Sequence, residues 1–179
     1  MPSNASAFNR DANRVPITQN GLMVTKSLTF TGDDATVATP IFNVTGVVEV
    51  LALYGIVITQ LGAGHTDAHW RLNDHTASDI ILTKATTLSI GGISPGAMIF
   101  KSGLITAVAT YKTSDAASMY EPTTLQTNLF TPFIVVQKTG GIVTHIEYVY
   151  TTDDDPTSGT MKFYCGFIPL SDDGDITAA

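Results

Sequence analysis

The sequence predicts an all-β protein, an antiparallel β-sandwich or jelly roll preceded by an extended N-terminal arm. Three observations predict this class. About nine or ten short stretches alternate or run apolar as strands do, and clusters of Gly, Pro, Asn and Asp separate them. Only residues 114–120 offer a helical turn. Closely spaced strands with almost no helix are typical of sandwiches, jelly rolls and barrels.

Length and composition place bounds on the class. A chain of 179 residues is long enough for one domain with a sizeable core. Only 14% of its residues are charged and its mean hydropathy is +0.19, which suggests that an oligomer covers part of its surface. No apolar run reaches the roughly 18 residues of a membrane helix, so no membrane partner is expected. No signal peptide opens the chain, so export is not predicted.

Charge is distributed unevenly along the chain. Residues 1–26 carry Arg10, Arg14 and Lys26 against Asp11, a net charge of +2, and the remainder carries −9. An acidic body repels phosphate backbones, so no nucleic-acid partner is expected. A mildly basic arm on an acidic body suits docking to another acidic protein surface.

Residues 1–26 are interpreted as the arm, and residues 27–179 as the single β domain with a short acidic C-terminal tail. The first twenty residues lack strand or helix periodicity, which indicates either a disordered terminus or a segment that orders on a partner. In the second case, both apolar and basic side chains of the arm are expected to contact the partner. The candidate partner-binding residues are Phe8, Arg10, Arg14, Val15 and Ile17.

The predicted strands follow in order and share an alternating or wholly apolar pattern: 22–31, 41–61, 67–73, 78–83, 86–90, 97–100, 104–111, 130–138, 142–150 and 160–168. The stretch 41–61 is apolar on both faces. Strict alternation places 48, 50, 52, 54, 56 and 58 on one of them. Such a strand is expected either in the centre of a sandwich or at a subunit interface.

The last two strands, 142–150 and 160–168, flank the turn cluster 152–159 and are predicted to form an antiparallel hairpin. Alternation puts Cys165 on the face shared by Met161, Phe163 and Phe167, so it is predicted to be buried and inert. As the only cysteine it excludes an internal disulfide. Pro169 ends the ladder because it has no N–H to donate.

The densest group of potential metal ligands is His65, Asp67, His69, Asp74, His75 and Asp79. On a helix the spacing of His65 and His69 would suit zinc. Glycines precede His65 and the segment alternates as a strand, so exposed strand and loop residues are expected instead. The run 153–155 could bind calcium, but it lacks the spacing of a calcium loop and is interpreted as a turn. No metal and no cofactor are predicted.

No catalytic motif appears in a suitable structural context. The spacing G-x-S-x-G occurs at 92–96, but it lies in a predicted loop with no helix after it, so a nucleophile elbow is not predicted, and there is no phosphate-binding glycine loop. Glu49 and Glu147 lie in apolar strands and could face each other as a carboxylate pair, but surface-facing positions are expected. No catalytic residue is therefore predicted.

The two ends of the chain resemble a known class of proteins. The segment RDANRVP at 10–16 resembles the N-terminal R-D-x-N-x-V-P element of small virion proteins of tailed bacteriophages. The segment GTMKFYCGFIPLSDDG at 159–174 is similar to the aromatic strand and P-L-S-x-D-G with which such proteins close. The resemblance implies a capsid decoration (cement) protein or a related head or tail accessory.

Such proteins commonly form trimers of β-sandwich or jelly-roll subunits on the capsid shell. The resemblance therefore implies localisation on the virion surface after assembly in the host cytoplasm, with the major capsid protein or another virion protein as partner. A homotrimer is expected, with 47–58 or the 142–168 hairpin at its interface.

Two other classes stay open at this stage. A carbohydrate- or receptor-binding module would use exposed aromatic residues, for which the candidates are Trp70, Tyr111, Tyr120, Tyr148, Tyr150 and Tyr164. A cupin-like enzyme would place His65, His69 and His145 on a metal.

Overall fold

The computed structural model describes residues 21–31, 36–62, 65–74, 79–83, 92–101, 110–112, 132–138, 143–152 and 158–179. Every regular element within these ranges is a β-strand, which confirms the all-β class. The strands are β1 (Leu22–Thr29), β2 (Thr36–Thr45), β3 (Val47–Thr59), β4 (His65–Asn73), β5 (Ile80–Ile81), β6 (Met98–Phe100), β7 (Thr110–Lys112), β8 (Phe133–Val136), β9 (Thr144–Thr152), β10 (Thr160–Pro169) and β11 (Asp175–Ala178).

The strands form two antiparallel sheets. Sheet one has the order β1-β10-β3-β6-β7, with β8 also paired to β3, and sheet two has the order β11-β2-β9-β4-β5. The sheets pack face to face around an aromatic centre. There the ring of Phe163 from sheet one lies 5.0 Å from that of Tyr148 and 5.4 Å from that of Trp70, both from sheet two.

The predicted hairpin of the last two long strands is wrong. β9 pairs with β2 and β4 in sheet two, whereas β10 pairs with β1 and β3 in sheet one. The chain therefore crosses from one sheet to the other between them. Alternation had correctly placed Met161, Phe163, Cys165 and Phe167 on the buried face of β10. A face pattern identifies the buried side of a strand but not its hydrogen-bonded neighbour.

The apolar stretch 41–61 is two strands rather than one. The chain bends at Gly46, whose φ is +57°, and leaves sheet two for sheet one. A Cβ at this position would lie 2.5 Å from Oδ1 of Asp173, so both the backbone angle and the space require glycine. β3 then lies in the middle of sheet one, as a strand apolar on both faces should.

A β-bulge changes which residues of β3 face the core. Gly166 pairs with Ala52 and Phe167 pairs with Val50, so Leu51 is an extra residue in the ladder. Val50 and Leu53 are both buried as a result, while Tyr54 and Ala52 face outward with only partial burial. The expected single face of even-numbered residues is therefore wrong beyond residue 50.

Both ends of the described chain contribute strands. Residues 22–26, assigned to the arm by the boundary after residue 26, belong to β1. Lys26 donates to the backbone carbonyl of Pro40 at 2.9 Å and to that of Ala179 at 2.5 Å, so it ties sheet one to sheet two. Asp175–Ala178, expected in a solvated tail, forms β11 on the edge of sheet two, with Ile176 buried.

Several predictions fall outside the described residues. These are the arm over 1–20, the strand at 86–90, most of the strand at 104–111 and the helical turn at 114–120.

Candidate functional site

The first histidine of the predicted polar group lies in the core. Thr66 pairs with Thr151 and His69 with Val149, so β4 contains one extra residue at a bulge, where Asp67 has a φ of +53°. The bulge turns His65 to the same inner face as Trp70, and its exposed fraction is 0%. The expectation that His65 is an exposed residue is therefore wrong.

Aromatic rings surround His65 on the inner side. Its ring stacks on Tyr150 with centroids 4.6 Å apart and meets the edge of Phe30 at 4.7 Å. Its Nε2 is hydrogen-bonded to the hydroxyl of Tyr148 at 3.0 Å. Its Nδ1 has no hydrogen-bond partner among the described residues. Burial lowers the pKa of His65 to about 3, so the ring is neutral at physiological pH.

The structure separates the histidines that the sequence grouped together. His65 faces the core, whereas His69 lies on the outer face of sheet two, where its Nδ1 is 2.8 Å from the carbonyl oxygen of Asp67. His145 also lies on that outer face, with its Nδ1 2.8 Å from Oδ1 of Asn43. Within the described part of the chain, no three His, Cys, Asp or Glu side chains are placed to hold a metal ion. His75 and residues 153–155 lie outside it.

Glu147 takes the outward-facing position in the alternation that was expected, beside Arg71 on the outer face of sheet two, but its side chain is buried there. Its Oε2 accepts a hydrogen bond from Nε of Arg71 at 2.6 Å, and its Oε1 accepts one from Asn73 at 2.9 Å. Arg71 also contacts Asp79, with 2.5 Å between Nη1 and Oδ2. Glu49 belongs to the opposite sheet and lies on its outer face, so the two glutamates do not form a carboxylate pair.

Cys165 is buried, as the alternation predicts. Burial raises the pKa of its thiol to about 12. Because the thiolate is the reacting form, this places its thiolate fraction on the order of 1,000-fold below that of a free cysteine at neutral pH.

We therefore expect Ellman's reagent to label native Cys165 far more slowly than the denatured protein. The measurement is the absorbance of the released thiolate over hours in buffer, with a denaturant sample as control. Rapid labelling of one thiol per chain in buffer would contradict the burial of this side chain.

The outer face of sheet one is the most unusual surface of the described chain. Alternation against the buried residues leaves mainly apolar side chains pointing outward: Met23, Ala52, Tyr54, Ile56, Met98, Phe100, Ile134, Val136, Tyr164 and Ile168. We call these residues, with Glu49, Lys162 and Gly166, the sheet-one face. Ile134 and Val136 are 61% and 64% exposed, which is high for large apolar side chains.

Strand register arranges the sheet-one face in four rows across β10 and β3. Their cross-strand pairs are Ile168 with Glu49, Gly166 with Ala52, Tyr164 with Tyr54, and Lys162 with Ile56. The two tyrosine rings stack with centroids 4.8 Å apart and planes 10° from parallel. Burial and the neighbouring Tyr164 raise the pKa of Tyr54, so the Tyr54 hydroxyl stays neutral at pH 7.

The outer face of sheet two has the opposite character. Its cross-strand pairs include Arg71 with Glu147 and Asn73 with His145. The residues are joined by side-chain hydrogen bonds of the kind described for Glu147. A polar face of this type is satisfied within one chain, whereas the sheet-one face leaves apolar surface in contact with water.

Three of the six predicted aromatic platform residues are unavailable to a ligand. Trp70 and Tyr148 are 0% exposed and Tyr150 is 3% exposed, all in the core. Tyr164 lies on the sheet-one face. Its stacking partner Tyr54 is not among the predicted platform residues. Strict alternation put Tyr54 on the same face as Val48 and Val50, and the bulge at Leu51 places it on the opposite one. The side chains of Tyr111 and Tyr120, like the arm residues Phe8, Arg10, Arg14, Val15 and Ile17, lie outside the described residues.

The fold and its surfaces define the protein as an all-β domain of two facing antiparallel sheets, with one apolar and one polar outer face. No family model, no curated protein and no solved structure matches the chain. Among the described residues, no helix is long and apolar enough to cross a membrane.

Proposed function

We propose that the protein is a non-enzymatic virion component, a capsid decoration (cement) protein of a tailed bacteriophage head. The observation that carries the proposal is the contrast between its two outer faces. A domain whose sheet one is mainly apolar on its outer face over β3, β6, β8 and β10 suits burial in an assembly. Residues 10–16 and 159–174 resemble segments of small phage virion proteins, and this resemblance favours a phage particle as the assembly.

The proposal includes a jelly-roll body, which the strand order supports. Strands β1, β10, β3 and β6 lie side by side in sheet one, and β2, β9, β4 and β5 lie side by side in sheet two. Successive strands thus alternate between sheets at the start of the chain, and the two late strands β9 and β10 insert between earlier ones. Jelly rolls, built from two Greek keys, recur in viral capsid proteins and in lectins.

In this proposal the arm, residues 1–20, makes the attachment to the major capsid protein or another virion protein. Arg10 and Arg14 pair with acidic groups on the shell, while Phe8, Val15 and Ile17 supply apolar anchors. Lys26 belongs to the body instead, since it is bound to two backbone carbonyls of its own chain. The site of action is the capsid surface, after folding in the host cytoplasm.

Removing residues 2–20 is expected to abolish or sharply weaken attachment to the shell while leaving the thermal stability of the body nearly unchanged. The reason is that the deletion ends before β1, whose residues from Leu22 to Thr29 all pair with β10. Co-sedimentation with purified capsids measures attachment, and differential scanning fluorimetry measures stability.

The matched control is the double variant Arg10→Glu and Arg14→Glu in the full chain, which keeps the arm and reverses its charge. It should weaken attachment most at low salt, because exposed charge pairs are screened as the ionic strength rises. Unfolding of the domain on arm deletion, or undiminished capsid binding, would contradict the attachment role.

A second candidate function is a carbohydrate- or receptor-binding module. The stacked, half-buried Tyr54 and Tyr164 favour it, because sugars pack their apolar faces on aromatic rings. Binding on a glycan array that is lost in Tyr164→Ala would support this function over the structural one.

A further inference from the structure

We propose that the sheet-one face is a self-association surface, which packs against the same face of a second copy across a two-fold axis. The inference deepens the proposed function and rests on it only for the viral context. It identifies the occupant of the apolar face as this chain itself.

The charges of the described rows are self-complementary. Glu49 lies in the first row of the face and Lys162 in the fourth, on the neighbouring strand. Six ladder positions separate the first row from the fourth once the bulge in β3 is allowed for, so these two rows lie roughly 20 Å apart. Their charges cancel, although the whole chain carries −7. Two copies therefore repel each other less through this face than through acidic parts of the surface.

The proposed two-fold axis lies between the two facing copies. It crosses the strands midway between the first and fourth rows, so it reverses the order of the rows in the second copy. Glu49 of each copy then lies close to Lys162 of the other. An isologous contact of this kind makes every favourable pair occur twice. Opposite charges that meet twice also fix the relative orientation of the two copies.

The same axis makes the shapes complementary. It places the second row, Gly166 and Ala52, opposite the third row of the partner, the stacked Tyr164 and Tyr54. A shallow depression over two small residues thus receives two aromatic rings, again twice. Aromatic side chains seated in fitted recesses are the usual centres of protein interfaces. The charge and shape patterns are independent, and one operation satisfies both.

The geometry yields a dimer as the closed unit. The homotrimer expected from the phage resemblance stays a separate prediction, because three copies around a three-fold axis would not bring each row against its reversed counterpart. The apolar residues at the rim, including Ile134 at 61% exposure, would be covered in the dimer. Their burial gives the association its hydrophobic driving force.

The experiment is sedimentation velocity of the purified full-length chain over a concentration series into the micromolar range. The expected species has twice the chain mass of 19.0 kDa. Ala52→Arg fills the recess with a charged side chain and should raise the dimer Kd at least about 100-fold. Its matched control, Ala38→Arg, makes the same change on the outer face of sheet two and should leave the Kd unchanged.

A charge exchange tests the symmetry without adding bulk. Glu49→Lys and Lys162→Glu should each raise the Kd about tenfold, and the double exchange should restore it to within about threefold of the original. Restoration also shows that both substitutions together are compatible with the fold. A monomeric wild-type protein, a trimer, an unaffected Ala52→Arg dimer or an absence of rescue would each overturn the proposal. Attachment to capsids is measured separately, so a dimer that does not bind capsids would refute only the decoration role.

Discussion

At pH 4 the domain is expected to be about 3 kcal/mol less stable than at pH 7 through His65 alone. In the folded protein the pKa of this histidine is lowered to about 3, because Phe30, Tyr148 and Tyr150 exclude water from the ring. In the unfolded chain it titrates near the usual value of about 6.5.

The sign follows from proton binding. Above pH 6.5 neither state binds the proton, so the stability is complete. As the pH falls from 6.5 towards 3, the unfolded state binds a proton that the folded state does not bind. Each pH unit in this range therefore lowers the free energy of unfolding by about 1.4 kcal/mol. The two neighbouring tyrosines are neutral over this range, since burial raises the pKa of both.

The measurement is urea unfolding between pH 7 and pH 4, in wild type and in His65→Gln. Glutamine can keep a hydrogen bond to Tyr148 without titrating, so this variant should be less stable at pH 7 but lose about 3 kcal/mol less on acidification. His69→Gln, which alters the outer face of the same strand, is the matched control and should keep the wild-type slope. Equal slopes in all three proteins would refute the burial of a neutral His65.

Replacing Arg71 by methionine is expected to destabilise the domain by about 3 kcal/mol, at the lower end of the range for breaking a buried ion pair. Among the described residues, the change removes the one cation that contacts the Glu147 carboxylate and leaves the hydrogen bond from Asn73. The side chain of Glu147 is only 4% exposed, so water replaces the lost partner poorly. The side chain of Arg71 is 24% exposed, which limits the loss.

Chemical denaturation of a double-variant cycle measures this effect. Arg71→Lys keeps the charge but not the planar fork that joins Glu147 to Asp79, so it should cost about 1 kcal/mol. The pair Arg71→Met with Glu147→Met should cost clearly less than the sum of the single changes, because no isolated charge is left behind. Additive single effects would show that the two side chains are not coupled.

The strands themselves were predictable from local pattern. The alternation of 160–168 identified the buried face of β10 and the burial of Cys165, and the two-sided apolar run identified a central strand in β3. These predictions succeed because side-chain direction along a strand is a local property with a period of two. The sheet-one face was predictable only in part. An excess of apolar strand surface indicated that the protein forms an oligomer, but it did not show which residues form the interface.

Two features could be seen only in the folded protein: which strands pair with each other, and which residues of a strand face the core beyond a bulge. β9 and β10 look like a hairpin in sequence, yet each inserts between strands formed much earlier in the chain. One-residue bulges at Leu51 and beside Asp67 then reverse the phase of the strands that contain them. The first bulge sets which residues form the sheet-one face, and the second places His65 in the core.

Local sequence pattern is enough to predict the all-β class and the buried face of strands such as β10, because both follow from neighbouring residues. Only the folded protein decided that His65 is neutral and buried, that Glu147 is held by Arg71, and that Tyr54 stacks on Tyr164. Each of these depends on which strand lies alongside and on whether its register contains an extra residue. A single sequence does not reveal either, because a bulge is a small local distortion whose cost is repaid by contacts with residues far along the chain.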